Sequence, residues 1–428
     1  MSITIIRLNG NPPQLERAPR TPFALAPGDG YNAPVNDLLS APEAACRLLA
    51  ATWDPALRPA AGEVPWVEVL SLVEGSNAAP AVYAAARDMA MPAGVHEALE
   101  QAFFRSAAAN TRCLHQLAGV WDALSRTGAP LLLLKGAALA ETLYRDPGLR
   151  TIGDIDLLVP REAVRACRDA LLGLGYRPTQ LEEQPGSLLE TSNQEAFEPP
   201  PPHRTLVELH WHIVDVPYYL HRIPVAWFWE NSEPAEIAGR PFRVLSPEAN
   251  LVYLPSHLAF HHRFQRLHSL FDLALLIARR GEEIDWARVA ATCHSFELLT
   301  VLRETLDRLA RSWPMLPLDE ARGQVAAAAP SAMDGRLYRH LTAEARSTPL
   351  RFYTTLATLP DLASRVRYAR LVVFPQPGYM RSRYRVGADW QLPYWYLHRL
   401  VSGLARFARA LPRARQIEKE DGRRKKEE

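Results

Sequence analysis

Cysteine is scarce in this sequence, and the four residues present lie far apart. Cys46, Cys113, Cys167 and Cys293 form no CxxC pair, which argues against a zinc ribbon and against a disulfide framework. Apolar runs are short as well, and none approaches the roughly 18 residues that a membrane-spanning helix needs. The first residues lack the basic stretch and long apolar stretch of a secretory signal. We therefore expect buried reduced thiols, a cytoplasmic location and no membrane partner.

A large excess of charge of either sign is also missing, because 49 Lys and Arg residues nearly balance 47 Asp and Glu residues. The net charge of +2 does not suit a protein that coats nucleic acid, so long nucleic acid is not an expected partner. Hydrophobic residues make up 48% of the chain, which is enough for one large domain or several smaller ones. The abundance of Ala, Arg and Pro is typical of a bacterial protein from a GC-rich genome.

Changes in composition and periodicity divide the chain into five parts. Residues 1–32 are rich in Pro and Gly and predict a loose leader, whereas residues 33–127 repeat apolar residues at helical spacing. Residues 128–245 alternate strand-like and helix-like segments, which is the pattern of a compact α/β core. Residues 246–412 are helical again, and residues 413–428 form a charged tail. The predicted fold class is α+β, with a small mixed sheet flanked by two helical regions.

Short apolar or alternating segments predict the strands of the α/β core. Residues 131–134 are a continuous apolar run, and residues 152–159 and 205–214 have strand character. Residues 161–174, between the last two, have the spacing of a helix. Residues 177–203 are polar, with clustered Glu and the run EPPPPH, and predict a long exposed loop.

Two aspartates one residue apart are the central chemical feature, in the run GDIDLLV. Side chains at alternate positions of a strand share a face, so Asp154 and Asp156 project together while Ile155 and Leu157 face a core. Two adjacent carboxylates repel each other, and a cation between them relieves the repulsion. Oxygen ligands without a nearby Cys favour Mg²⁺ or Mn²⁺. The alternative is that one aspartate caps a turn and the other is solvated on an edge strand.

A lysine and a glycine follow the first predicted strand and precede a helix. At such a junction an anion can meet backbone amides and the positive end of the helix dipole. Gly136 permits close approach of the backbone, and Lys135 supplies positive charge. The alternative for Lys135 is an ordinary surface lysine.

The third predicted strand carries a further carboxylate beside two histidines. Glu208, His210 and His212 alternate with apolar residues and are expected on one face. Glu208 is a candidate third carboxylate, which would bind the metal or take a proton from an attacking hydroxyl, and His210 would face the nucleotide. The alternative is an exposed strand face with hydrogen-bonded histidines.

The run LLLLKGAALAETLYRDPGLRTIGDIDLLVP, followed about fifty residues later by LVELHW, resembles the uncharacterised nucleotidyltransferase family of the DNA-polymerase-β-like superfamily. The downstream run HLAFHHRFQRLHSLFDLALLI is similar to a helical segment of that family. The resemblance covers roughly residues 60–400, and its core is residues 131–215.

The resemblance implies roles for particular residues. Asp154 and Asp156 would be the metal ligands, and Glu208 stands where the third carboxylate is expected. Gly136 and Ala137 stand where the superfamily has Gly-Ser against the nucleotide phosphates. The chain departs from the wider superfamily in that Ala137 replaces the serine and a Glu in a His-rich strand replaces the usual Asp.

An arginine lies four residues before the aspartate pair, on the loop that enters the strand. Arg150 could clamp a phosphate through both ends of its guanidinium group. The alternative is an ion pair with Asp146 or with another acid.

One face of the downstream helical region carries His257, His261, His268 and Asp272, at spacings of four, seven and four. The first two histidines could bind zinc, but no HExxH glutamate accompanies them. The other interpretations are hydrogen bonds across the interface with the α/β core, or the far wall of the nucleotide cleft.

These features predict an enzyme that transfers a nucleotidyl group from an NTP to a hydroxyl or phosphate of an unknown acceptor, with Mg²⁺ or Mn²⁺ as cofactor. A small molecule, a peptide or a protein is the expected acceptor. Two alternatives remain open at this point. One is a catalytically degenerate protein that binds a nucleotide or a partner, and the other is a DxD metal-dependent glycosyltransferase.

Overall fold

The computed structural model describes most of the chain between residues 38 and 409. The described residues are 38–180, 188–214, 216–342, 352, 356, 359, 361–406, 408 and 409. The predicted leader, residues 1–32, and the predicted charged tail, residues 413–428, lie outside this part. The predicted domain boundaries stay a prediction.

Helices precede the sheet, as the helical spacing predicted. They are α1 (Ala41–Ala50), α2 (Trp66–Gly75), α3 (Ala79–Ala86) and α4 (Ala93–Leu124). Helix α1 begins where the Ser40 hydroxyl accepts a hydrogen bond from the Glu43 amide at 3.4 Å, as an N-cap serine does. Helix α4 has 32 residues and buries one stripe of its surface, which includes Leu99, Leu117 and Leu124.

A seven-stranded mixed sheet follows, in the order β3-β4-β5-β2-β1-β7-β6. The strands are β1 (Leu132–Leu134), β2 (Asp154–Leu158), β3 (Arg177–Pro178), β4 (Gln194–Glu198), β5 (Leu206–His210), β6 (Ser232–Ile237) and β7 (Arg240–Leu245). The short helices between them are α5 (Lys135–Leu139), α6 (Val164–Gly173), α7 (Leu188–Thr191), α8 (Pro217–Leu220) and α9 (Val225–Glu230). Strand β2 pairs antiparallel with β1 and parallel with β5, so these three strands form the centre of the sheet.

Apolar side chains cover both faces of this centre. Ile155 and Leu157 of β2 face a core that they share with α4 and α6. Leu158 and Leu134 face a second core, built mainly by the other helices. The sheet therefore separates two apolar cores. A polar side chain on its central strands is buried at a cost in free energy unless a hydrogen bond or an opposite charge compensates it.

The C-terminal helices complete the second core. They are α10 (Pro247–His262), α11 (Leu267–Arg280), α12 (Trp286–Ser295), α13 (Leu299–Ser312), α14 (Asp319–Ala327), α15 (Ala332–Thr342), α16 (Leu362–Val373) and α17 (Pro377–Tyr384). Residues 392–406 are helical as well. Helices α1 to α3 pack into the same core as α10 to α15, and the Trp313 indole nitrogen donates to the Cys46 carbonyl at 2.8 Å. The α+β class is confirmed, and the two helical regions share one core.

The prediction of a long exposed loop over residues 177–203 was wrong. The described part of this segment contains β3, α7 and β4, and β4 pairs antiparallel with β5. Ala196 and Phe197 of β4 are buried. The clustered Glu residues and the proline run concealed a strand only five residues long.

The hairpin of β6 and β7 extends the other side of the sheet and was also not predicted. Its turn places Ala238 and Gly239 at φ values of 53° and 68°. Two successive left-handed residues match the twist of a two-residue hairpin, and glycine adopts that conformation without strain.

The four cysteines are buried free thiols, as expected. In the part of the chain that the structure describes, the helices are too short or too polar to cross a bilayer.

Candidate active site

The pairing of β2 with β5 brings two acidic side chains together. In this parallel register Asp156 lies beside Glu208, and Leu158 lies beside His210. Residues paired across two strands point to the same face of the sheet, so Asp156, Glu208 and His210 face one side. Asp156 and His210 are almost completely buried, and the side chain of Glu208 is largely buried.

The end of β1 adds a positive charge to this group. Strand β1 runs antiparallel to β2 with Leu134 opposite Asp156, so the next residue, Lys135, lies next to the carboxylate. The Lys135 Nζ atom is 2.7 Å from Asp156 Oδ1 and 3.9 Å from Glu208 Oε2. The side chain is largely buried, so it is not the ordinary surface lysine of the alternative interpretation.

The backbone of Lys135 adopts a conformation that is uncommon for a residue with a side chain. Its φ is 44°, in the left-handed region. A Cβ atom makes this region unfavourable, and such residues concentrate at functional sites. The turn from β1 into α5 positions the Lys135 ammonium group, and the backbone conformation that does so is energetically unfavourable.

His210 contacts both carboxylates through one ring nitrogen. Its Nε2 atom lies 2.9 Å from Asp156 Oδ1 and 3.5 Å from Glu208 Oε2. The third residue of the predicted stripe, His212, does not join them, because β5 ends at His210. His212 is instead buried among backbone groups, with Nε2 3.1 Å from the Ile223 carbonyl oxygen and Nδ1 accepting from the Val214 amide at 3.2 Å.

These contacts shift the protonation equilibria of the group. Burial opposes the charged form of each residue, but neighbouring charges and hydrogen bonds outweigh it. The hydrogen bond from His210 and the charge of Lys135 lower the pKa of Glu208. The hydrogen bonds to Asp156 and Glu208 raise the pKa of His210, and the charge of Asp156 raises the pKa of Lys135. The site therefore favours an ionised carboxylate at Glu208 and an ammonium ion at Lys135.

Asp154 lies at the start of β2, on the same face as Asp156. The negative charge of Asp156 is the largest cause that raises the pKa of Asp154, and burial adds to it. A cation beside the two carboxylates would relieve this repulsion.

Three side chains of the group lie close enough to share a cation. Asp156, Glu208 and His210 each offer one ligand atom, and these atoms lie within 4.8 Å of one another. Lys135 and His210 both contact Asp156 Oδ1, whereas the buried Oδ2 atom has no hydrogen-bond partner among the described residues. A buried carboxylate oxygen without a donor is unfavourable unless a cation or a water satisfies it. Carboxylate oxygens suit Mg²⁺ and Mn²⁺, so these residues fit a divalent metal ion. Asp154 does not belong to this three-residue group, although its charge interacts with that of Asp156.

The glycine and alanine after Lys135 have different environments. A Cβ atom on Gly136 would lie 3.2 Å from Arg150 Nη1, so the guanidinium group packs directly against the glycine. Ala137 is fully buried in the core between the sheet, α4 and α6. Its methyl group is therefore part of the apolar packing behind the sheet.

Arg150 is held by an acid far away in the sequence. Its Nε and Nη2 atoms donate to the two carboxylate oxygens of Asp272 at 3.1 and 2.8 Å. The Tyr144 hydroxyl donates to Asp272 Oδ1 at 2.7 Å, and Arg150 Nη1 donates to the Thr151 carbonyl at 2.8 Å. The partner predicted as an alternative, Asp146, is instead 2.7 Å from the Gly148 amide.

An asparagine that the sequence pattern did not reveal fixes the loop before β2. Asn110 of α4 donates to the carbonyls of Pro147 and Arg150, both at 2.7 Å, and accepts from the Ile152 amide at 2.9 Å. The sequence does not indicate this role of Asn110, because its hydrogen-bond partners are backbone groups 37 to 42 residues away.

Helix α10 packs near the site. Tyr253 of α10 is completely buried, and burial raises the pKa of its hydroxyl, whereas the charge of Lys135 and a hydrogen bond with it act in the opposite direction. One turn later, burial and the charge of Lys135 lower the pKa of His257 far below its usual value, so this ring is neutral. Tyr253 was not among the predicted site residues, since a tyrosine in a helix of apolar residues is typical of a core.

The predicted histidine face divides between two environments. The rings of His257 and His261 stack with their centroids 4.8 Å apart. His268 Nδ1 lies 2.6 Å from the Ser76 carbonyl oxygen, and Asp272 binds Arg150. Among the described residues, neither His257 nor His261 belongs to a group of three side chains close enough to share a metal.

Comparisons with known proteins agree with the sequence motifs. The model of a family described as uncharacterised nucleotidyltransferase matches residues 62–313. Among solved structures, an antigenic nucleotidyltransferase-like protein from Paracoccidioides brasiliensis is 17% identical, and the match covers 54% of this chain and 98% of that chain with a TM-score of 0.32. No curated protein sequence matches this chain.

Proposed function

Because this chain belongs to the uncharacterised nucleotidyltransferase family, we propose that it moves a nucleotidyl group from an NTP to a hydroxyl or phosphate of an acceptor in a metal-dependent reaction. The acceptor is a small molecule, a peptide or a protein, since the balanced charge of the chain does not suit a long nucleic acid.

One observation supports this proposal most strongly. Asp156 and Glu208 lie side by side on neighbouring strands, and Asp156 Oδ2 is buried with no hydrogen-bond donor in the described part of the chain. Burying a carboxylate in this way costs free energy that a purely structural site would avoid. A cation bound at Oδ2 gives the arrangement a function.

Asp154, Asp156, Glu208 and His210 are the residues that would hold the metal ion. Mg²⁺ or Mn²⁺ supplies positive charge against the triphosphate and the developing charge of the reaction. Asp154 would join the other ligands, because a cation relieves the repulsion from Asp156 that raises its pKa.

The transfer itself is a displacement at the α-phosphorus. A bond forms between the acceptor oxygen and phosphorus, while the bond from phosphorus to the bridging oxygen breaks and pyrophosphate leaves. Glu208 takes the proton of an acceptor hydroxyl, since its lowered pKa keeps the carboxylate ionised. Lys135 keeps Asp156 oriented through the 2.7 Å contact to Oδ1.

The phosphates would lie along the turn of Lys135 and Gly136. Gly136 has no side chain, and this leaves space for the Arg150 guanidinium group, which brings a positive charge beside the turn. Asp272 occupies the Nε–Nη2 edge of the Arg150 guanidinium group, and Nη1 donates to the Thr151 carbonyl, so Arg150 would contact a phosphate only through the remaining N–H groups and not as a free bidentate clamp.

A nucleotide-binding protein without catalysis is the second candidate. Two observations favour it: both Lys135 and His210 already contact Asp156 Oδ1, and the methyl group of Ala137 is buried where the superfamily has a serine. A DxD glycosyltransferase has less support, because the family match favours nucleotidyl transfer.

A transfer assay with α-labelled NTPs tests the proposal. The purified protein is incubated with each NTP, Mg²⁺ or Mn²⁺ and a panel of small-molecule, peptide and protein acceptors, and label transfer is measured. Asp156→Asn should reduce transfer by about 100-fold or more, because it removes charge at the reacting phosphate. The control is Asp169→Asn on the exposed side of α6, which should leave transfer unchanged. Metal-dependent NTP binding without transfer would favour the binding protein, and transfer from a nucleotide sugar would favour the glycosyltransferase.

A further inference from the structure

The last described helices expose an unusual amount of apolar surface. Of the fourteen large apolar side chains that are exposed in the described part of the chain, eight lie between residues 362 and 404. They are Leu362, Val366, Phe374, Trp390, Tyr394, Leu397, Val401 and Leu404. Single exposed apolar side chains are ordinary, whereas a concentration of them in one segment indicates a binding surface.

Five of these side chains form a line along the helix of residues 392–406 and the turn before it. Their spacings of 4, 3, 4 and 3 residues return to the same face of a helix. Their exposed fractions lie between 57 and 80%. We call this line the apolar ridge, and its members are Trp390, Tyr394, Leu397, Val401 and Leu404. The described part of the chain therefore leaves one apolar face of this helix open to solvent.

The opposite face of the same helix holds it on the protein. Arg399 donates through Nε and Nη2 to the Val372 carbonyl of α16, at 3.0 and 2.6 Å. The Trp395 ring stacks on that of Tyr384 of α17, with the centroids 5.0 Å apart. These contacts orient the helix, so the apolar ridge points away from α16 and α17.

The charge of this part of the chain is as unusual as its apolar surface. Residues 362–409 contain nine arginines, no lysine and a single acid, Asp389. Their net charge is +8, which leaves −6 for the rest of a chain whose total is +2. Eight of the nine arginines are exposed, and Asp389 is paired with Arg381 at 2.8 Å. The segment is therefore a strongly basic surface on a protein that is otherwise acidic.

Part of this positive charge lies beside the apolar ridge. Arg406 is exposed on the same helix, and Arg385 follows Tyr384, whose ring stacks on Trp395. Exposed arginines beside an apolar helix face are typical of helices that lie between the head groups and the acyl chains of a bilayer. Tryptophan and tyrosine, both present in the ridge, favour this boundary because their rings are apolar and their N–H or O–H group reaches water.

The charge distinguishes between the surfaces that could cover the ridge. A second copy of the chain would bring two segments of like charge together, which opposes association. A nucleic acid would bind the arginines but would leave the aliphatic side chains of the ridge uncovered. A bilayer that contains anionic lipids complements both features, because it offers negative charge at its surface and an apolar interior beneath it.

We propose that the apolar ridge binds the surface of a bilayer that contains anionic lipids, with its side chains among the acyl chains and the surrounding arginines at the head groups. This inference is independent of the proposed function. The prediction of no membrane partner was made from the lack of a spanning helix and of a secretory signal. Binding at the surface of a bilayer requires neither of them.

Flotation of the full-length protein with lipid vesicles tests the proposal. One set of vesicles is phosphatidylcholine alone, and the other is an equal mixture of phosphatidylcholine and phosphatidylserine. The bound fraction is measured at increasing lipid concentration, which gives a partition coefficient. We expect the protein to bind the mixed vesicles much more strongly than phosphatidylcholine, and to bind them less at high salt, because salt screens the charge of the arginines.

A pair of double variants tests the apolar contribution. Leu397→Gln with Leu404→Gln should lower the partition coefficient for the mixed vesicles by about tenfold or more, since two apolar side chains no longer leave water. The control is Val67→Gln with Phe104→Gln, on α2 and α4. The exposed fractions are 59% for both leucines and 50 and 59% for the control residues, so the two variants are matched in exposure. The control should bind like wild type.

A second pair of double variants tests the charge. Arg385→Gln with Arg406→Gln should lower the partition coefficient for the mixed vesicles by about tenfold or more. The control is Arg112→Gln with Arg165→Gln, which removes the same charge from exposed positions on α4 and α6. The control should bind like wild type. All four double variants change exposed side chains, so their melting temperatures should stay close to that of wild type.

Each of three results would overturn the inference. If wild type does not bind the mixed vesicles, this surface is no membrane site. If the double leucine variant binds them as strongly as wild type, charge alone causes the binding and the ridge does not enter the bilayer. If light scattering shows a dimer that the double leucine variant converts to a monomer, and vesicles do not bind, a second copy of the chain covers the ridge.

Discussion

Arg150 and Asp272 form a buried, two-pronged ion pair between the loop before β2 and helix α11, with N–O distances of 3.1 and 2.8 Å. Their positions are 122 residues apart in the sequence. The pair connects the sheet, which carries the candidate site, to the helical core, and the guanidinium group rests on Gly136. Movement of α11 relative to the sheet would therefore disturb the turn that positions Lys135.

The first prediction concerns the stability of this ion pair. Asp272→Asn leaves the Arg150 charge buried without its counter-ion, and the free energy of unfolding should fall by about 3–5 kcal/mol. Urea denaturation measures the change. The exposed pair of Arg58 and Asp88 is the control, because solvent screens it and Asp88→Asn should therefore cost far less stability than Asp272→Asn. Equal, small losses for both variants would show that solvent reaches Arg150.

The same pair shows what sequence patterns can and cannot reveal. The alternation of β2 predicts that Asp154 and Asp156 share a face, since strand side chains alternate whatever the fold is. The identity of the partner of Arg150 depends on how α11 packs, and no local pattern contains that information. The predicted stripe on α10 and α11 included Asp272 but could not show that it faces Arg150.

The second prediction concerns the backbone of Lys135. Lys135→Ala and Lys135→Gly both remove the ammonium group, so the difference between them reports only on the backbone. Since the φ of 44° is unfavourable for a residue with a Cβ atom, the glycine variant should be more stable than the alanine variant by about 1 kcal/mol. Denaturant unfolding of the two proteins measures it.

Arg165, which is exposed on α6, is the control, and there we expect the opposite order of stability for the glycine and alanine variants. In a regular helix glycine is less favourable than alanine by about 1 kcal/mol, so Arg165→Gly should be less stable than Arg165→Ala. If the Lys135 variants follow the order of the Arg165 variants, the turn after β1 does not adopt the left-handed conformation.

The third prediction concerns metal binding in the absence of nucleotide. A divalent ion that binds only the folded state stabilises it, by about 2.7 kcal/mol at a concentration of 100 times its Kd. Mn²⁺ should therefore raise the melting temperature of wild type and of Asp169→Asn, and it should have a much smaller effect on Asp156→Asn. An identical shift in all three proteins would mean that the metal binds elsewhere.

The fourth prediction concerns the stability of the protein in mild acid. Burial lowers the pKa of His212 from its usual 6.5 to about 4 in the folded protein. Between these values the unfolded chain binds a proton that the folded protein does not, so stability should decrease as the pH falls from 6.5 towards 4. One such group contributes a slope of up to about 1.4 kcal/mol per pH unit.

The variant His212→Gln tests the assignment of this slope. It should be less stable than wild type at pH 7, because the hydrogen bond with the Val214 amide is disturbed, but its stability should depend less steeply on pH. Denaturant unfolding at several pH values between 4.5 and 7 measures both effects, in the range defined by the two pKa values. An unchanged slope would assign the acid sensitivity to other buried histidines, such as His268.

The remaining differences between prediction and structure have physical causes of two kinds. Strand β4 was missed because five residues between polar segments are too few for an alternating pattern to stand out. Tyr253 was missed because a tyrosine in an apolar helix suggests packing, and its interaction with Lys135 depends on how α10 packs against the sheet. The first cause is weak local signal, and the second is information that exists only in the tertiary structure.

The shared core of the first and last helices also affects how the chain is made in the cell. Cys46 and Trp313, which are joined by a hydrogen bond, are separated by 267 residues. At about 5–20 residues per second, a ribosome needs roughly 13 to 53 seconds to proceed from one to the other. During that time α10 to α12 emerge, but Trp313 and the helices after it do not, so the apolar faces of α1 to α3 stay partly uncovered. Slower translation of the central region would prolong the exposure of this apolar surface.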